Sequence, residues 1–470
     1  MRRNNAAIES ESRENSLKQL PVIAIFDIGK TNKKLLLFNE QYSVVYEDNA
    51  QLPEITDEDG FACEDVHALT RWILDSFEKI SDGKKYTVRA VNFSAYGASF
   101  IHLDEAMQPC LPLYNYLKPY PEKLKQQFYD SYGGESLVAK QTASPVLGSL
   151  NSGMQLYRLK YEKPAKFEKI KYSIHLPQYA SFVLSGKVCS DITSIGCHTN
   201  LWHFQKNAYH LWVQREGIEV KLPCIKRCDE ISYTGQGGSV AAGIGLHDSS
   251  AALIPYLYCF SEPFVLLSTG TWCISLNPFN HDVLSDYELH NDCLCYLTYE
   301  GKPVKASRLF AGYEHEQQVK KLAAHFNKPA YYYTTVLYNP ALKVEVEINK
   351  KRIAEDVMVQ SSAFESRDLS SFANYEEAYH QLIADIITQQ VKSTNLVLAN
   401  TPVAKIFVDG GFSKNSVYMH MLAGAFSNIA VYAASVPQAS ALGAAMVLHK
   451  NWNAKSLPQD VVKLVRFNAV

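Results

Sequence analysis

The sequence predicts an α/β protein with mixed sheets, built as two related domains around a central cleft. Two similar segments, residues 22–39 and 264–278, each contain an apolar, β-branched strand pattern, a Gly/Thr-rich turn and a second strand pattern. Apolar residues at helical spacing follow each segment, so each half of the chain combines strands with helices. At 470 residues the chain is also long for one hydrophobic core and comfortable for two.

The first half of the chain alternates strand and helix signals. Runs of apolar and β-branched residues predict three strands, over residues 22–26, 34–38 and 87–93. Helical periodicity predicts two helices, over residues 64–80 and 121–132. We therefore predict a first domain over residues 20–252, preceded by a polar leader over residues 1–19 that we expect to be disordered.

The second half repeats this plan and predicts a second domain over residues 253–470. Helical patterns occur over residues 375–398, from about residue 415, and over 438–449, with a short buried strand over 405–408. A long insertion, residues 280–370, separates the hairpin from these elements. Within it, the Tyr- and Val-rich residues 331–346 predict strands.

The composition excludes several classes of protein. Hydrophobic residues make up 47% and charged residues 20% of the chain, as in globular proteins. The formal net charge of −2 provides no general attraction to nucleic acid or to anionic membranes, and no apolar run is long enough to span a bilayer. The ten cysteines have no zinc-ribbon spacing. Because the polar start also lacks a signal-peptide pattern, we expect reduced thiols in a cytoplasmic protein.

The first hairpin has the residues of a phosphate site. A tight turn points successive backbone N–H groups into one concavity that suits phosphate oxygens. Asp27 ends the preceding strand and is a candidate ligand of Mg²⁺, held through water. The turn supplies N–H groups and lysine charge, from Gly29, Lys30, Thr31, Asn32 and Lys33.

The same turn has a superficial likeness to a P-loop, in Gly29-Lys30-Thr31. A P-loop needs a further glycine at the position that Ala24 occupies, and it leads into a helix. Residues 33–38 instead have a strand pattern. The hairpin interpretation is therefore preferred over the P-loop.

Two further turns in the second half could hold the rest of a nucleotide. Thr269, Gly270 and Thr271 form the turn of the second hairpin, so one triphosphate could lie between two domains. A later Gly-Gly turn follows a buried strand and opens a helix, where backbone can approach a nucleobase or ribose closely. Its candidate nucleotide-binding residues are Gly410, Gly411, Phe412 and Asn415. Together these turns predict an ATP-dependent kinase.

Asp248, with His247 before it, is the candidate general base. A sugar hydroxyl is a poor nucleophile, and a carboxylate facing it in line with the γ-phosphate can accept its proton. The alternative is that Asp248 only begins the helix predicted after it. Both roles are compatible, because a helix N-terminus favours the ionised carboxylate.

The candidate sugar site lies at the end of the third predicted strand. An aromatic residue beside a glycine at a strand end suits a sugar-binding floor, and a packed core turn is the alternative. The residues concerned are Tyr96, Gly97, Ala98 and Ser99, with His247 and Asp248 facing them.

Taken together, these motifs resemble the FGGY family of carbohydrate kinases over residues 21–450. The segments that carry the resemblance are residues 27–32, 268–272, 409–415 and 439–445, with 190–194 as a further match. Asp248 stands where the family has its catalytic aspartate. The resemblance implies two ribonuclease-H-like domains of the actin and hexokinase type around an ATP and sugar cleft. It also implies ATP and Mg²⁺ as cofactors, a small-molecule sugar as substrate and a homodimer as one assembly.

Within the family, three details are similar to the kinases of 6-deoxy-ketoses, the rhamnulokinases and L-fuculokinases. They are the His247-Asp248 pair, the string over residues 268–272 and the aromatic-Gly pair at 96–97. Rhamnulokinases typically have an aspartate where Ser99 stands. The resemblance implies transfer of the γ-phosphoryl group to O1 of L-rhamnulose or L-fuculose. A pentulose kinase and a sugar-independent ATPase of the same superfold are the alternatives.

Overall fold

Two seven-stranded mixed sheets, one in each half of the chain, form the framework of the protein. The structure, a computed structural model, describes residues 19–82, 84–235, 238–342, 344 and 363–468. The predicted leader over residues 1–19 lies outside these residues except for Gln19. The mixed sheets and the two-domain plan confirm the predicted α/β class.

The first sheet contains the first phosphate hairpin at its centre. Its main path runs, in spatial order, through Ile231–Tyr233, Ala241–Gly243, Tyr86–Ala95, Leu20–Ile28, Lys33–Asn39 and Val44–Ala50. Leu20–Ile28 pairs antiparallel with the next strand of the hairpin and parallel with Tyr86–Ala95. The short strand Leu246–His247 also pairs parallel with Tyr86–Ala95, at Ser94 and Ala95. The strand ends at Ile28, Ala95 and His247 are therefore brought to one edge.

The second sheet repeats this arrangement. Its strands are, in spatial order, Cys293–Leu297, Pro303–Leu309, Cys273–Asn277, Phe264–Thr269, Lys405–Gly410, Ala430–Ser435 and Lys463–Phe467. Phe264–Thr269 pairs antiparallel within its hairpin and parallel with Lys405–Gly410. The second hairpin turn and the Gly-Gly turn consequently lie side by side.

Helices cover both sheets, and four short strand pairs lie outside them. The helices are Val66–Ile80, Glu122–Tyr132, Glu135–Thr142, Ser152–Glu162, Pro164–Lys169, Leu176–Ser185, Ile192–Ile195, Leu211–Arg215, Asp248–Cys259, Asp286–His290, Ala311–His325, Tyr375–Leu398, Ser416–Ala425, Ala439–Val447 and His449–Trp452. The short pairs are Glu54–Thr56 with Ala62–Glu64, Phe100–Leu103 with Tyr172–His175, Ser190–Asp191 with Ile225–Lys226, and Trp202–His203 with Ala208–Tyr209.

The helices predicted from periodicity are present with small shifts at their ends. One prediction differs from the structure. The predicted strands over residues 331–346 are wrong where the chain is described, because residues 331–342 and 344 contain a 3₁₀ turn, Tyr332–Thr335, and no strand. The predicted break between residues 252 and 253 lies within the helix Asp248–Cys259, and the domain bounds stay a prediction.

A hydrophobic core runs between the two domains. It joins Ile25 and Leu36 of the first sheet to Phe264 and Phe407 of the second, through the helices Asp248–Cys259 and Ala439–Val447. These two helices touch at their backbones. A Cβ built on Gly443 would lie 1.8 Å from the Ala251 carbonyl oxygen, so only glycine fits there.

In the described part of the chain, no helix is both long enough and apolar enough to cross a lipid bilayer.

We predict that Gly443→Ala destabilises the protein by roughly 1–3 kcal/mol, because the added methyl forces the two helices apart. Urea unfolding measures this change. Gly424→Ala is the matched control, since Gly424 is also in a helix but has nothing within 4 Å of its added Cβ. Alanine should leave that variant unchanged or more stable by up to about 1 kcal/mol. Equal effects of the two substitutions would contradict the packing argument.

Candidate active site

Asp27 lies near the end of the strand Leu20–Ile28 and faces the second domain. Ser440 Oγ, at the start of the helix Ala439–Val447, is 3.1 Å from Asp27 Oδ1 and 3.0 Å from Oδ2. Burial, followed by the charge of Asp248, raises the pKa of Asp27 to about 6. Two carboxylates from distant parts of the sequence thus share one electrostatic environment.

Asp248 opens the helix Asp248–Cys259, as the sequence predicts. Its Oδ1 accepts a hydrogen bond from Ser249 N at 2.6 Å and lies 3.1 Å from His247 Nε2. About a third of the side chain, 37%, is exposed, while the surrounding protein raises the pKa of Asp248 to about 6. Burial lowers the pKa of His247 to about 3, so this neighbour is neutral at pH 7. Asp248 is therefore a carboxylate that solvent and a substrate can reach.

The first hairpin turn separates the two candidate lysines. Gly29 N donates to Asn32 O at 2.9 Å, which closes the turn and leaves Thr31 and Asn32 exposed. Lys33 is 2% exposed, and its Nζ lies 2.9 Å from Glu64 Oε2. Lys30 is 25% exposed and is 3.4 Å from the other Glu64 oxygen. Lys30 is therefore the lysine of this pair that reaches solvent, and which of the two supplies charge to a phosphate stays a prediction.

Thr269 joins the second hairpin to the Gly-Gly turn. Its Oγ1 donates to Asp409 O at 2.6 Å and accepts from Phe412 N at 3.0 Å. Gly410 follows Asp409, whose Oδ1 accepts the Gly410 N–H at 2.7 Å. One threonine hydroxyl therefore fixes the relative position of the two turns predicted to hold a nucleotide.

These turns form one wall of a cleft of about 500 Å³. The predicted residues that line it are Thr269, Gly270, Gly411, Phe412 and Asn415. Asn415 also begins the helix Ser416–Ala425, since its Oδ1 accepts from Tyr418 N at 3.0 Å. Thr271 and Gly410 neighbour the cleft residues Gly270 and Gly411 in the sequence, but they do not line the cleft themselves.

Most of the remaining wall of the cleft lies outside the sequence motifs. Its residues are Gly312, His315, Tyr333, Thr334, Val336, Leu337, Lys414 and Ser416. Gly312 and His315 lie in the helix Ala311–His325, and the next four lie in or just after the 3₁₀ turn Tyr332–Thr335. Sequence analysis missed these six residues because they are of mixed chemical type and have no spacing signature.

The candidate sugar-binding segment lies directly behind His247. A Cβ on Gly97 would be 2.8 Å from Cys197 Sγ and 3.1 Å from two His247 ring atoms, so this segment and His247 are in contact. Tyr96 OH donates to Glu64 Oε1 at 2.7 Å. Ala98 has a left-handed backbone, and Ser99 is 1% exposed.

The carboxylates of Asp27 and Asp248 have the donor chemistry that a magnesium ion would need. In the described part of the chain, no three His, Cys, Asp or Glu side chains gather into a cage for a metal. Mg²⁺ commonly uses only one or two carboxylates and keeps several waters. The raised pKa values of Asp27 and Asp248 show two carboxylates that a nearby cation would stabilise in their charged forms.

Sequence analysis also missed two residues that organise the site. Ser440 lies inside a recognised Ala-rich segment, but nothing local indicates that it meets Asp27. Glu64 gathers Lys30, Lys33 and Tyr96 from three positions. Both are long-range contacts, which a single sequence does not encode as a pattern.

We predict that Asp27→Asn raises the melting temperature of the ligand-free protein by a few degrees at pH 8, but not at pH 4. The folded-state pKa of Asp27, about 6, is above its ordinary value of 3.8. Its stabilising contribution is therefore complete below pH 3.8 and lost as pH rises through 6. Asparagine stays neutral and avoids that loss. Melting curves with a chelator measure the difference, and Asp130→Asn, at an exposed site, is the control. A gain that is independent of pH would contradict the prediction.

Comparison with known proteins gives the family. Residues 22–248 match the N-terminal domain of the FGGY family of carbohydrate kinases, and residues 261–456 match the carbohydrate kinase FGGY C-terminal domain. A rhamnulokinase from Halalkalibacterium halodurans is 25% identical over 257 residues, which cover 53% of this chain and 52% of the relative. A rhamnulokinase from Mannheimia succiniciproducens is 22% identical over 37% of this chain and 36% of the relative. The chain thus spans about half, or less, of the length of these curated relatives.

Solved structures share the fold across nearly the whole chain. A carbohydrate kinase from Novosphingobium aromaticivorans superimposes with a TM-score of 0.75 at 20% identity, covering 96% of this chain and 95% of that one. A xylulose kinase from Rhodospirillum rubrum gives 0.76 at 14% identity, with 96% and 94% covered. Plasmodium falciparum glycerol kinase with ADP gives 0.72 at 16% identity, with the same coverage. The predicted pair of ribonuclease-H-like domains is confirmed, and the chain belongs to the FGGY family of carbohydrate kinases.

Proposed function

We propose that this protein is an ATP-dependent sugar kinase that phosphorylates a ketose, with Asp248 as the general base. The observation that carries this proposal is the pairing of Asp27 and Asp248. One directly precedes a phosphate-type turn, and the other is a solvent-accessible carboxylate at a helix N-terminus. The charge of Asp248 raises the pKa of Asp27, so the two carboxylates are close enough to interact.

Asp248 has the properties that proton transfer from a hydroxyl requires. A pKa of about 6 leaves the carboxylate ionised at pH 7.5, yet makes it a stronger base than an ordinary aspartate. His247 is neutral and adds no positive charge that would weaken this basicity. Asp248 would accept the proton of the acceptor hydroxyl, which we assign as O1, while that oxygen attacks the γ-phosphorus.

The nucleotide is assigned to the cleft between the hairpin turns and the Gly-Gly turn. The adenosine would lie against Gly411, Phe412 and Asn415, and the phosphates between Gly29–Asn32 and Thr269–Thr271. Lys30 would contribute positive charge. Asp27 would hold Mg²⁺, which supplies neutralisation of the phosphate oxygens when bound.

The acceptor is assigned to a 6-deoxy-ketohexose, L-rhamnulose or L-fuculose, in front of Tyr96–Ser99. Two curated relatives named rhamnulokinase support this choice. Similar folds in xylulose and glycerol kinases keep a pentulose or polyol as the second candidate. All ten cysteines are unpaired, which fits the cytoplasmic location. The homodimer stays a prediction.

A coupled assay of ADP formation tests the proposal. Purified protein with ATP and Mg²⁺ is offered L-rhamnulose, L-fuculose, D- and L-xylulose, L-ribulose and glycerol. Turnover that depends on one or two 6-deoxy-ketoses supports the full assignment. Turnover with pentuloses alone keeps the kinase and overturns the substrate. Slow ADP release that no acceptor stimulates would favour the sugar-independent ATPase.

Asp248→Asn should lower kcat at least 1,000-fold while the Kd for ATP changes less than threefold, because it removes only the proton acceptor. Stopped assays give kcat, and titration calorimetry with ATP and Mg²⁺ gives Kd. Asp130→Asn, at an exposed position, should leave both unchanged. Near-normal turnover in Asp248→Asn would remove Asp248 from its assigned role.

Thr269→Val should raise the KM for ATP about tenfold, since it breaks the hydrogen bonds to both Asp409 O and Phe412 N. Thr269→Ser keeps the hydroxyl and should restore most of the affinity. The KM for the sugar should stay within about twofold in both variants. If valine and serine behave alike, the hydroxyl does not position the nucleotide turns.

A further inference from the structure

His198 has a backbone conformation that is rare for a residue with a side chain. Its φ is 35°, in the left-handed region, which costs of the order of 1–3 kcal/mol. The surroundings hold it there. Asn151 Nδ2 donates to His198 O at 2.9 Å, and Gly153 N donates to Thr199 O at 2.8 Å. Because these two hydrogen bonds fix the backbone here, they also hold the imidazole of His198 in one orientation.

The His198 ring is buried and has an unused nitrogen. The residue is 8% exposed, and among the described residues Nδ1 forms no hydrogen bond of normal geometry, although backbone groups of His198 and Leu150 lie near the ring. Burial, and then the charge of Arg308, lower the pKa of His198 to about 3. The ring is therefore neutral at pH 7, with one nitrogen that donates and one that accepts. A buried polar atom without a partner is costly unless a ligand satisfies it.

The neighbours of His198 connect it to the candidate base. Its ring centroid is 6.1 Å from that of Tyr296, which is in turn 5.4 Å from that of His247. The preceding residue, Cys197, has its Sγ 3.1 Å from His247 Nε2. His198 thus lies one side chain away from the His247-Asp248 pair, at the meeting of the two domains.

We propose that His198 binds a hydroxyl of the acceptor sugar other than the one phosphorylated, and that it thereby sets which ketose is preferred. The proposal rests on the sugar-kinase function proposed above. A neutral imidazole can accept a hydrogen bond from one hydroxyl and discriminates against the epimer that directs this hydroxyl elsewhere. A site built to bond a hydroxyl rejects ligands that leave its polar group unpaired.

His203 is a second buried histidine, to which we assign no role in binding the sugar. It is 6% exposed, and its Nδ1 also lacks a partner among the described residues. Its ring stacks on His210 at 5.7 Å, its backbone has no left-handed strain, and it is paired in a two-stranded ribbon. His203 therefore provides a matched control.

The test compares His198→Asn with His198→Gln on epimeric acceptors. Asparagine places a polar amide atom near the position of Nδ1, and this residue type tolerates a positive φ. Glutamine places its amide near the position of Nε2, so no polar atom takes the place of Nδ1. The acceptor pairs are L-rhamnulose with L-fuculose, which are epimers at C4, and L-xylulose with L-ribulose, which are epimers at C3. Melting curves confirm that the variants are folded.

We expect His198→Gln to raise the KM of the preferred acceptor three- to tenfold and to reduce the epimer ratio of kcat/KM by the same factor, with kcat nearly unchanged. His198→Asn should keep most of the preference, and His203→Gln should change nothing. An equal loss on every acceptor, or identical behaviour of Asn and Gln variants, would overturn the proposal. A wild-type protein that no acceptor stimulates would instead overturn the proposed function.

Discussion

The contact between the helices Asp248–Cys259 and Ala439–Val447 is the constraint on which the site depends. Gly443 lets the second helix touch the Ala251 backbone, and any side chain there would separate them. Each helix carries a site residue near its N-terminus, because Asp248 begins one and Ser440 lies at the start of the other, bonded to Asp27. The helix Asp248–Cys259 also spans the interval between the two family matches, residues 22–248 and 261–456. The element that joins the domains therefore also positions the candidate base, Asp248.

The helix contact stabilises the fold, but it also brings together two carboxylates that repel one another. Asp27 and Asp248 both have raised pKa values because burial disfavours their charged forms, and Asp248 adds repulsion to Asp27. His247, next to Asp248, and the more distant His198 are kept neutral by burial and supply no compensating charge. Perturbed carboxylates of this kind cluster at functional sites because a ligand resolves the conflict. A cation with a bound phosphate, as proposed for this site, would be such a ligand.

The sequence predicts the parts of this structure that depend on local pattern. The hairpins, the helix Tyr375–Leu398 and the Gly-Gly turn follow from periodicity and turn chemistry, and their order indicates the family. The contacts of Ser440 and Glu64 are unpredictable because their partners are distant in sequence. Residues 331–342 and 344 lack the predicted strands because β-propensity there is overridden by aromatic packing, with Tyr333 against Tyr379. The break predicted between residues 252 and 253 lies within the helix Asp248–Cys259, so the exact domain bounds stay a prediction.

The same difference between local patterns and long-range contacts separates the proposed phosphate turns from the residues proposed to select the substrate. Phosphate turns use backbone N–H groups, so short motifs specify them and resemble one another across the family. On the acceptor side, two non-glycine residues, Ala98 and His198, have left-handed backbones. Both are held by the same element, since Gln155 of the helix Ser152–Glu162 donates to Ala98 O at 2.8 Å and Asn151, just before that helix, donates to His198 O. The geometry of the proposed acceptor side thus depends on one buried helix N-terminus that has no motif of its own. If the proposal holds, changes in and around this helix would alter the preferred sugar while the phosphate turns stay the same.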